Sequence, residues 1–136
     1  MKCLIFHCGK FSYKLDYPTP VADQEIQHKE GEFSNSLVIF VAIEKGDSKE
    51  KIAEATKEIT AIANKVNPDS VVINPFAHLS SSLASPEQAK KLSQKLFEDF
   101  RSLIDKEVVY TSFGWYKSFM TDVYGHDNSQ IFRDFW

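Results

Sequence analysis

Cysteine is scarce in this chain of 136 residues: there are two, Cys3 and Cys8, both in one apolar N-terminal run. Two thiols cannot frame a disulfide-stapled fold, and no Cys/His spacing matches a structural zinc site. If the run is a strand, their odd separation points them to opposite faces. A nucleophilic role for Cys8 competes with the plainer one of a small buried thiol. Glycine and proline are equally sparse, five of each, and there is no repeat, low-complexity stretch or linker. No segment reaches the ~18 apolar residues of a membrane helix, and the opening run stops at His7, too early for a signal-peptide core. A cytoplasmic protein without membrane contact is the expectation. Positive charge is short as well: 16 Lys and Arg against 19 Asp and Glu leave a net charge of -3. A domain that tracks a long nucleic acid by its phosphates is normally basic, so extensive backbone tracking is disfavoured. Also missing are a phosphate-binding G-x-x-x-x-G-K-[ST] loop, a G-x-G-x-x-G fingerprint, an H-E-x-x-H metal motif and a G-x-S-x-G elbow.

What the chain does have is length for one core and the aromatics to fill it. A single domain over residues 1–136 is expected, and eleven Phe, five Tyr and two Trp favour a packed interior or a stacking surface. Leu4 to His7, a turn signal at Gly9 and the alternating Phe11 to Leu15 read as an N-terminal β-hairpin. Residues 16–36, with an acidic cluster at Asp23, Glu25, Glu30 and Glu32, read as a loop. Leu37 to Ile43 is continuously apolar and β-branched, the pattern of a strand covered on both faces and the best candidate for the centre of a sheet. The period then changes: Ile52, Ala55, Ile59, Ile62 and Val66 recur at helical spacing, with Asp47 or Ser48 as cap and Asn67-Pro68 as stop. Ser70 to Asn74 is a second buried strand, so residues 37–74 predict a β-α-β unit. A second helix starts at Ser85 as cap, with Pro86 first and Gln88 completing a capping box. Its apolar stripe is Ala89, Leu92, Leu96, Phe100 and Leu103; Lys90, Lys91, Lys95 and Arg101 read as its solvated face. Val108 to Thr111 and Trp115 to Tyr124 are strands, followed by a turn at Gly125 to Asn128 and a short C-terminal segment. The fold class is α/β (α+β), a mixed sheet with two main helices.

Two segments place polar groups where a buried sheet does not want them. Pro75-Phe76-Ala77-His78-Leu79-Ser80-Ser81-Ser82 follows the carboxyl end of a buried strand, where α/β sheets hold ligands. The plainer reading makes its serines turn formers and His78 a satisfied loop histidine. Phe113-Gly114-Trp115-Tyr116-Lys117-Ser118-Phe119 sets a lysine in an aromatic stretch. Such a lysine either snorkels its stem along apolar surface or sits beside a carbonyl, phosphate or ribose, and alone the first reading prevails.

Together the two segments are specific. Asn74 to Ser81, then Phe113 to Phe119, then Gly125-His126 closely resemble the N-terminal editing domain of archaeal threonyl-tRNA synthetase, and the resemblance extends over nearly the whole chain. It implies a fold shared with D-aminoacyl-tRNA deacylases, a homodimer, no cofactor or metal, and hydrolysis of mischarged Ser-tRNA(Thr). The synthetase's catalytic portion would be present in cis or in trans. Serine lacks only the methyl of threonine, and one methyl discriminates by roughly 1–3 kcal/mol, so a second site that admits the smaller residue supplies the rest. Such a site grips only the tRNA 3'-end and the seryl group, which removes the objection from net charge.

By the same resemblance Lys117 and His78 are the catalytic pair: Lys117 at the aminoacyl group or ribose hydroxyl, His78 orienting the 3'-end or a water. Pro75, Phe76, Ala77, Gly114, Trp115 and Tyr116 shape the pocket, and Glu44 and Lys45 join the substrate-binding set. His7, His126 and Gln130 are further positions near it. The chain departs from the family where Gln130 replaces a glutamate, where Cys8-Gly9 replaces a small polar and an acidic residue, and at Asp122 and Tyr124. An amide cannot act as a base as a carboxylate does. Three readings therefore stand: a seryl-tRNA(Thr) deacylase, a D-aminoacyl-tRNA deacylase on the same fold, and a non-catalytic module that binds a tRNA end or dimerises.

Overall fold

The apolar run at 37–43 becomes the buried half of the strand at the middle of a six-stranded sheet. The computed structural model describes residues 1–136. In chain order they form β1 (Lys2–Pro18), β2 (Glu30–Ala42), α1 (Lys49–Val66), β3 (Ser70–Pro75), a 3-10 turn (Ala77–Leu79), α2 (Pro86–Leu103), β4 (Glu107–Tyr110), β5 (Trp115–Val123) and β6 (Gln130–Asp134). The sheet order is β4-β3-β2-β1-β5, with β6 also on β1. Strands β2, β3 and β4 are parallel, and β1 is antiparallel to β2, β5 and β6. The sheet is mixed, and the β-α-β unit stands as expected. No helix is long and apolar enough to cross a membrane.

Both helices begin and pack as their sequences dictate. Ser48 caps α1, its hydroxyl accepting the Lys51 N–H, and Asn67 closes it in the left-handed conformation. Ser85 caps α2 by accepting the Gln88 N–H, with Pro86 in the first turn. Ile52, Ala55, Ile59 and Ile62 of α1 and Ala89, Leu92, Leu96 and Phe100 of α2 bury against Cys3, Ile5, Leu37, Ile39, Val71 and Ile73. Each large side chain so buried contributes on the order of 1.5–3 kcal/mol. Leu103 is an exception: it ends the helix exposed, and Ile104, in an extended C-cap conformation, turns into the core instead. Around the basic face of α2, Lys95 pairs with Asp99 and Lys90 with Asp23.

The expected N-terminal hairpin is not formed. Gly9 does not reverse the chain; β1 runs through it, and its register against β5 shifts between Cys8 and Lys10. One extra residue inverts the alternation of a strand. Cys3 and Ile5 therefore face the helices, while Cys8, Phe11, Tyr13 and Leu15 join Val38, Phe40 and Val72 in a second cluster that contains no helical residue. The broken alternation mimics two short strands. Strand β1 pairs instead with β2, from Lys2 opposite Ala42 to Lys14 opposite Glu30, so residues 30–36 are strand and only 19–29 loop. The two thiols do lie in opposite clusters, both free and buried, and burial pushes the Cys3 thiol up to about 12.

Two sets of contacts hold the loops at the carboxyl edge of the sheet. In the first, the Thr19 amide and hydroxyl donate to the Gly114 carbonyl at 2.9 and 2.6 Å. The Phe113 amide donates to Asp23 Oδ2 at 2.8 Å, and Trp115 Nε1 donates to the Asp23 carbonyl at 3.1 Å. Gly114 has φ +80, and a Cβ there would lie 2.6 Å from the Ala22 Cα. In the second, Glu44 accepts from Lys2 Nζ at 2.7 Å and from the Ser80 hydroxyl, and lies 3.0 Å from the N-terminal ammonium. Burial works to raise the Glu44 pKa, but Lys2, Ser80 and the ammonium outweigh it and hold the carboxyl at about 2.

Gly114→Ala combines left-handed strain with a backbone clash, and is expected to cost about 1–3 kcal/mol in denaturant unfolding and to speed amide exchange across residues 19–24. Glu44 has a folded pKa below its ordinary 4.5, so the stability it adds is present above that value and lost as pH falls toward about 2. Thermal unfolding of Glu44→Gln should therefore show a lower midpoint near neutrality and a shallower decline across that acid window.

Candidate active site

A cavity of about 420 Å³ opens where β2 and β3 end. Asn74, Pro75, Phe76, Ala77 and His78 form one wall; Phe113, Gly114, Trp115, Tyr116, Lys117 and Phe119 form another; Ala89 and Ser93 of α2 close the back. The two polar segments singled out in the sequence thus face one space. Their meeting depends on the path after β4, which carries residues 111–114 across the sheet end and starts β5 on the far side of β1.

Lys117 stands opposite Leu15 in the β1–β5 register. Its amine does not snorkel outward: Nζ donates to Asn74 Oδ1 at 3.3 Å and to the Pro75 carbonyl at 3.5 Å. Burial lowers its pKa to about 8, against an upward pull from the Asp23 charge. Near neutral pH the amine is therefore mostly charged and within reach of its neutral form. His78 rides the 3-10 turn, exposed, with its ring edge-on to Phe76 at 5.0 Å. Phe76 is wedged between Phe40 at 5.2 Å and Phe119 at 6.2 Å, which fixes the turn against the second core. Tyr116 stands at the rim, 64% exposed, opposite the equally open Tyr17 of β1.

The structure leaves five predicted positions outside this cavity. Glu44 and Lys45 sit behind its wall: Glu44 binds Ser80, and the Lys45 amide donates to the Ser82 carbonyl, so they anchor the His78 loop and do not line the cavity. His7, His126 and Gln130 gather elsewhere. His7 Nδ1 lies 2.7 Å from His126 Nε2 and its Nε2 lies 2.7 Å from Asn35 Oδ1, while Gln130 Nε2 donates to the Tyr124 carbonyl at 3.2 Å. The reason is the register of β1. Its first half pairs with β6, Phe6 opposite Gln130, and the cavity lies at its other end. No group of three or more His, Cys, Asp or Glu is placed to hold a metal ion.

Sequence reasoning passed over Asn74 and Asp23 as parts of the site. Asn74 had a signal, an amide closing an otherwise apolar buried strand. Asp23 had none, because one acid in an acidic loop looks like its neighbours, yet it is the residue that fastens the Phe113–Trp115 segment. Chemically, the cavity offers a buried amine of lowered proton affinity, an exposed imidazole and apolar walls. Ser80, the hydroxyl nearest the loop centre, is committed to Glu44. The arrangement can donate hydrogen bonds to a polar ligand group held against apolar surface.

Residues 1–135 match the family described as the archaea-specific editing domain of threonyl-tRNA synthetase. The chain is 43% identical to a threonine–tRNA ligase of Staphylothermus marinus over 96% of its own length and 22% of that protein's. It is 41% identical to a threonine–tRNA ligase editing subunit of Saccharolobus solfataricus over 98% of its length and 34% of the relative's. It thus spans between about a fifth and a third of these proteins. Two solved structures share its fold at 10% and 9% identity: a c-Myc DNA unwinding element binding protein, TM-score 0.74, covering 98% of both chains, and a probable eukaryotic D-amino acid tRNA deacylase, TM-score 0.64, covering 97% of this chain and 96% of that one. A family match over all but the last residue, on a deacylase-like fold with both motifs facing one cavity, places the chain in the archaea-specific family of threonyl-tRNA synthetase editing domains.

Proposed function

We propose that this chain, as one editing domain over residues 1–136, hydrolyses the ester of L-seryl-tRNA(Thr) in this cavity. The observation that carries the reading is the convergence of Lys117 and His78, far apart in sequence, on one cavity at the sheet edge. Lys117 donates to the aminoacyl carbonyl or the ribose hydroxyl of the terminal adenosine. His78, at the mouth, orients the 3'-end or the attacking water. Water adds to the ester carbonyl, a neighbouring ribose hydroxyl assists, and the tRNA leaves as the free alcohol. Positioning of this kind is worth many kcal/mol without a protein base. The apolar wall discriminates serine from threonine by about one methyl, roughly 1–3 kcal/mol.

The site reads only the end of the tRNA, so an acidic domain suffices when the synthetase's catalytic portion, in cis or in trans, holds the rest and raises the effective concentration. The cytoplasm is where such a substrate is met. A second copy of the chain is the other partner in this reading, because β5 ends the sheet with an unpaired edge and exposes Phe119 and Met120. Sedimentation is expected to show a dimer that Met120→Lys shifts toward monomer; a wild-type monomer at tens of micromolar would remove this part of the proposal.

The decisive assay compares hydrolysis of Ser-tRNA(Thr) with Thr-tRNA(Thr), and L- with D-seryl esters on the same tRNA. Faster loss of the L-seryl ester is expected, and equal rates for serine and threonine would sink the reading. Lys117→Met should lower the rate roughly 100-fold. Since the ammonium is the donor, the rate above the hydroxide background should fall as pH rises through about 8.

A further inference from the structure

We propose that Asn74 is a positioning residue for Lys117, holding its amine through the side-chain oxygen so that one valence of Nζ is left for the ligand. This rests on the reading that Lys117 works on the substrate. Asn74 is 2% exposed at the end of an apolar strand, where a buried amide needs hydrogen-bond partners. The charged lysine only donates, so the Asn74 atom 3.3 Å from its Nζ is the oxygen. The same oxygen lies 2.8 Å from the Thr111 hydroxyl, which must then donate as well. The ammonium thus fixes the amide orientation, and the Thr111 hydroxyl, able to donate or accept, turns its proton to the same oxygen.

The Pro75 carbonyl, 3.5 Å from Nζ, is a second neutral acceptor. As an ammonium Lys117 has three protons; two are directed to Asn74 and Pro75, and the third is free for a carbonyl or hydroxyl in the cavity. As an amine it keeps both bonds and turns its lone pair to the same place. Neutral acceptors tolerate either state, whereas a carboxylate at position 74 would lock the charged one. The other ionisable groups around the amine are Asp23 from the 19–29 loop, His78 from the 3-10 turn and Tyr116 on its own strand; β1 contributes Leu15. Asp23 is already engaged by Lys90 at 3.4 Å and by the Phe113 amide. Asn74 and Pro75 are therefore the direct partners of Nζ.

The test is trace acetic-anhydride labelling of the Lys117 peptide across pH, read by mass spectrometry, on the folded wild type, Asn74→Asp and Asn74→Ala. The wild-type midpoint is expected near 8. Asn74→Asp should raise it by a unit or more, a tenfold or greater gain in proton affinity, and Asn74→Ala should lower it. The alkaline limb of deacylation should move upward in Asn74→Asp as well. Should the alanine variant fail to fold, the isosteric aspartate variant decides alone. A midpoint that stays within a few tenths of wild type in the folded variants overturns the assignment, whether or not the protein deacylates. Shifted midpoints in a protein that hydrolyses no ester leave the placement of Lys117 standing and overturn the proposed function instead.

Discussion

The bond from Lys117 on β5 to Asn74 at the end of β3 joins strands that the sheet keeps apart, since β1 and β2 lie between them. The sheet has to curl for the two to meet, and the packing of Phe119 against Phe40 at 5.4 Å shows that it does. The second core, built from Cys8, Phe11, Tyr13, Leu15, Val38, Phe40 and Val72, fills the inside of that curl. The bulge at Gly9 supplies its outer residues by moving odd-numbered side chains from the helix face to the opposite one. Cavity, curl and bulge are thus one construction.

Around that construction the loops are held by charge and close backbone approach. Asp23 binds the backbone of Phe113 and the indole of Trp115; Gly114 lets Ala22 approach to a distance no side chain permits. On the other wall Glu44 fastens Ser80 to the chain start and to Lys2. Neither carboxylate touches the cavity space, yet both walls depend on them. Acidic residues that look like solvated surface in the sequence are spent on placing neutral and basic ones. This is consistent with a net negative domain that keeps one largely buried lysine amine at the cavity and a buried N-terminal ammonium behind its wall.

Much of the architecture was legible because it rests on local pattern. The continuous apolar run at 37–43, the helical recurrence from Ile52 to Val66, the Ser48 and Ser85 caps and the stop at Asn67-Pro68 each specify structure within a few residues of themselves. The expected hairpin fails for the same reason: a bulge and a turn both break alternation and both favour glycine, and only the partner strands tell them apart. Leu103 fitted the stripe, but it falls where the helix ends and Ile104 takes the inward direction.

The site divides along the same line. Composition and motif order, read by residue type alone, determined that a lysine in an aromatic segment and a loop histidine stand near strand ends, and which family those segments resemble. Which of the named residues share one space was decided by the tertiary structure. It brought Pro75 to His78 together with Gly114 to Lys117, left Glu44 and Lys45 behind the wall, and sent His7, His126 and Gln130 to the other half of β1. It also recruited Asn74, Thr111 and Asp23, which no local pattern marks as partners of a lysine more than a strand away. The physical reason is that a side chain's proton affinity and reach are set by what the folded sheet places within about 3 Å of it. In this chain the register of β1 and the curl of the sheet make that placement.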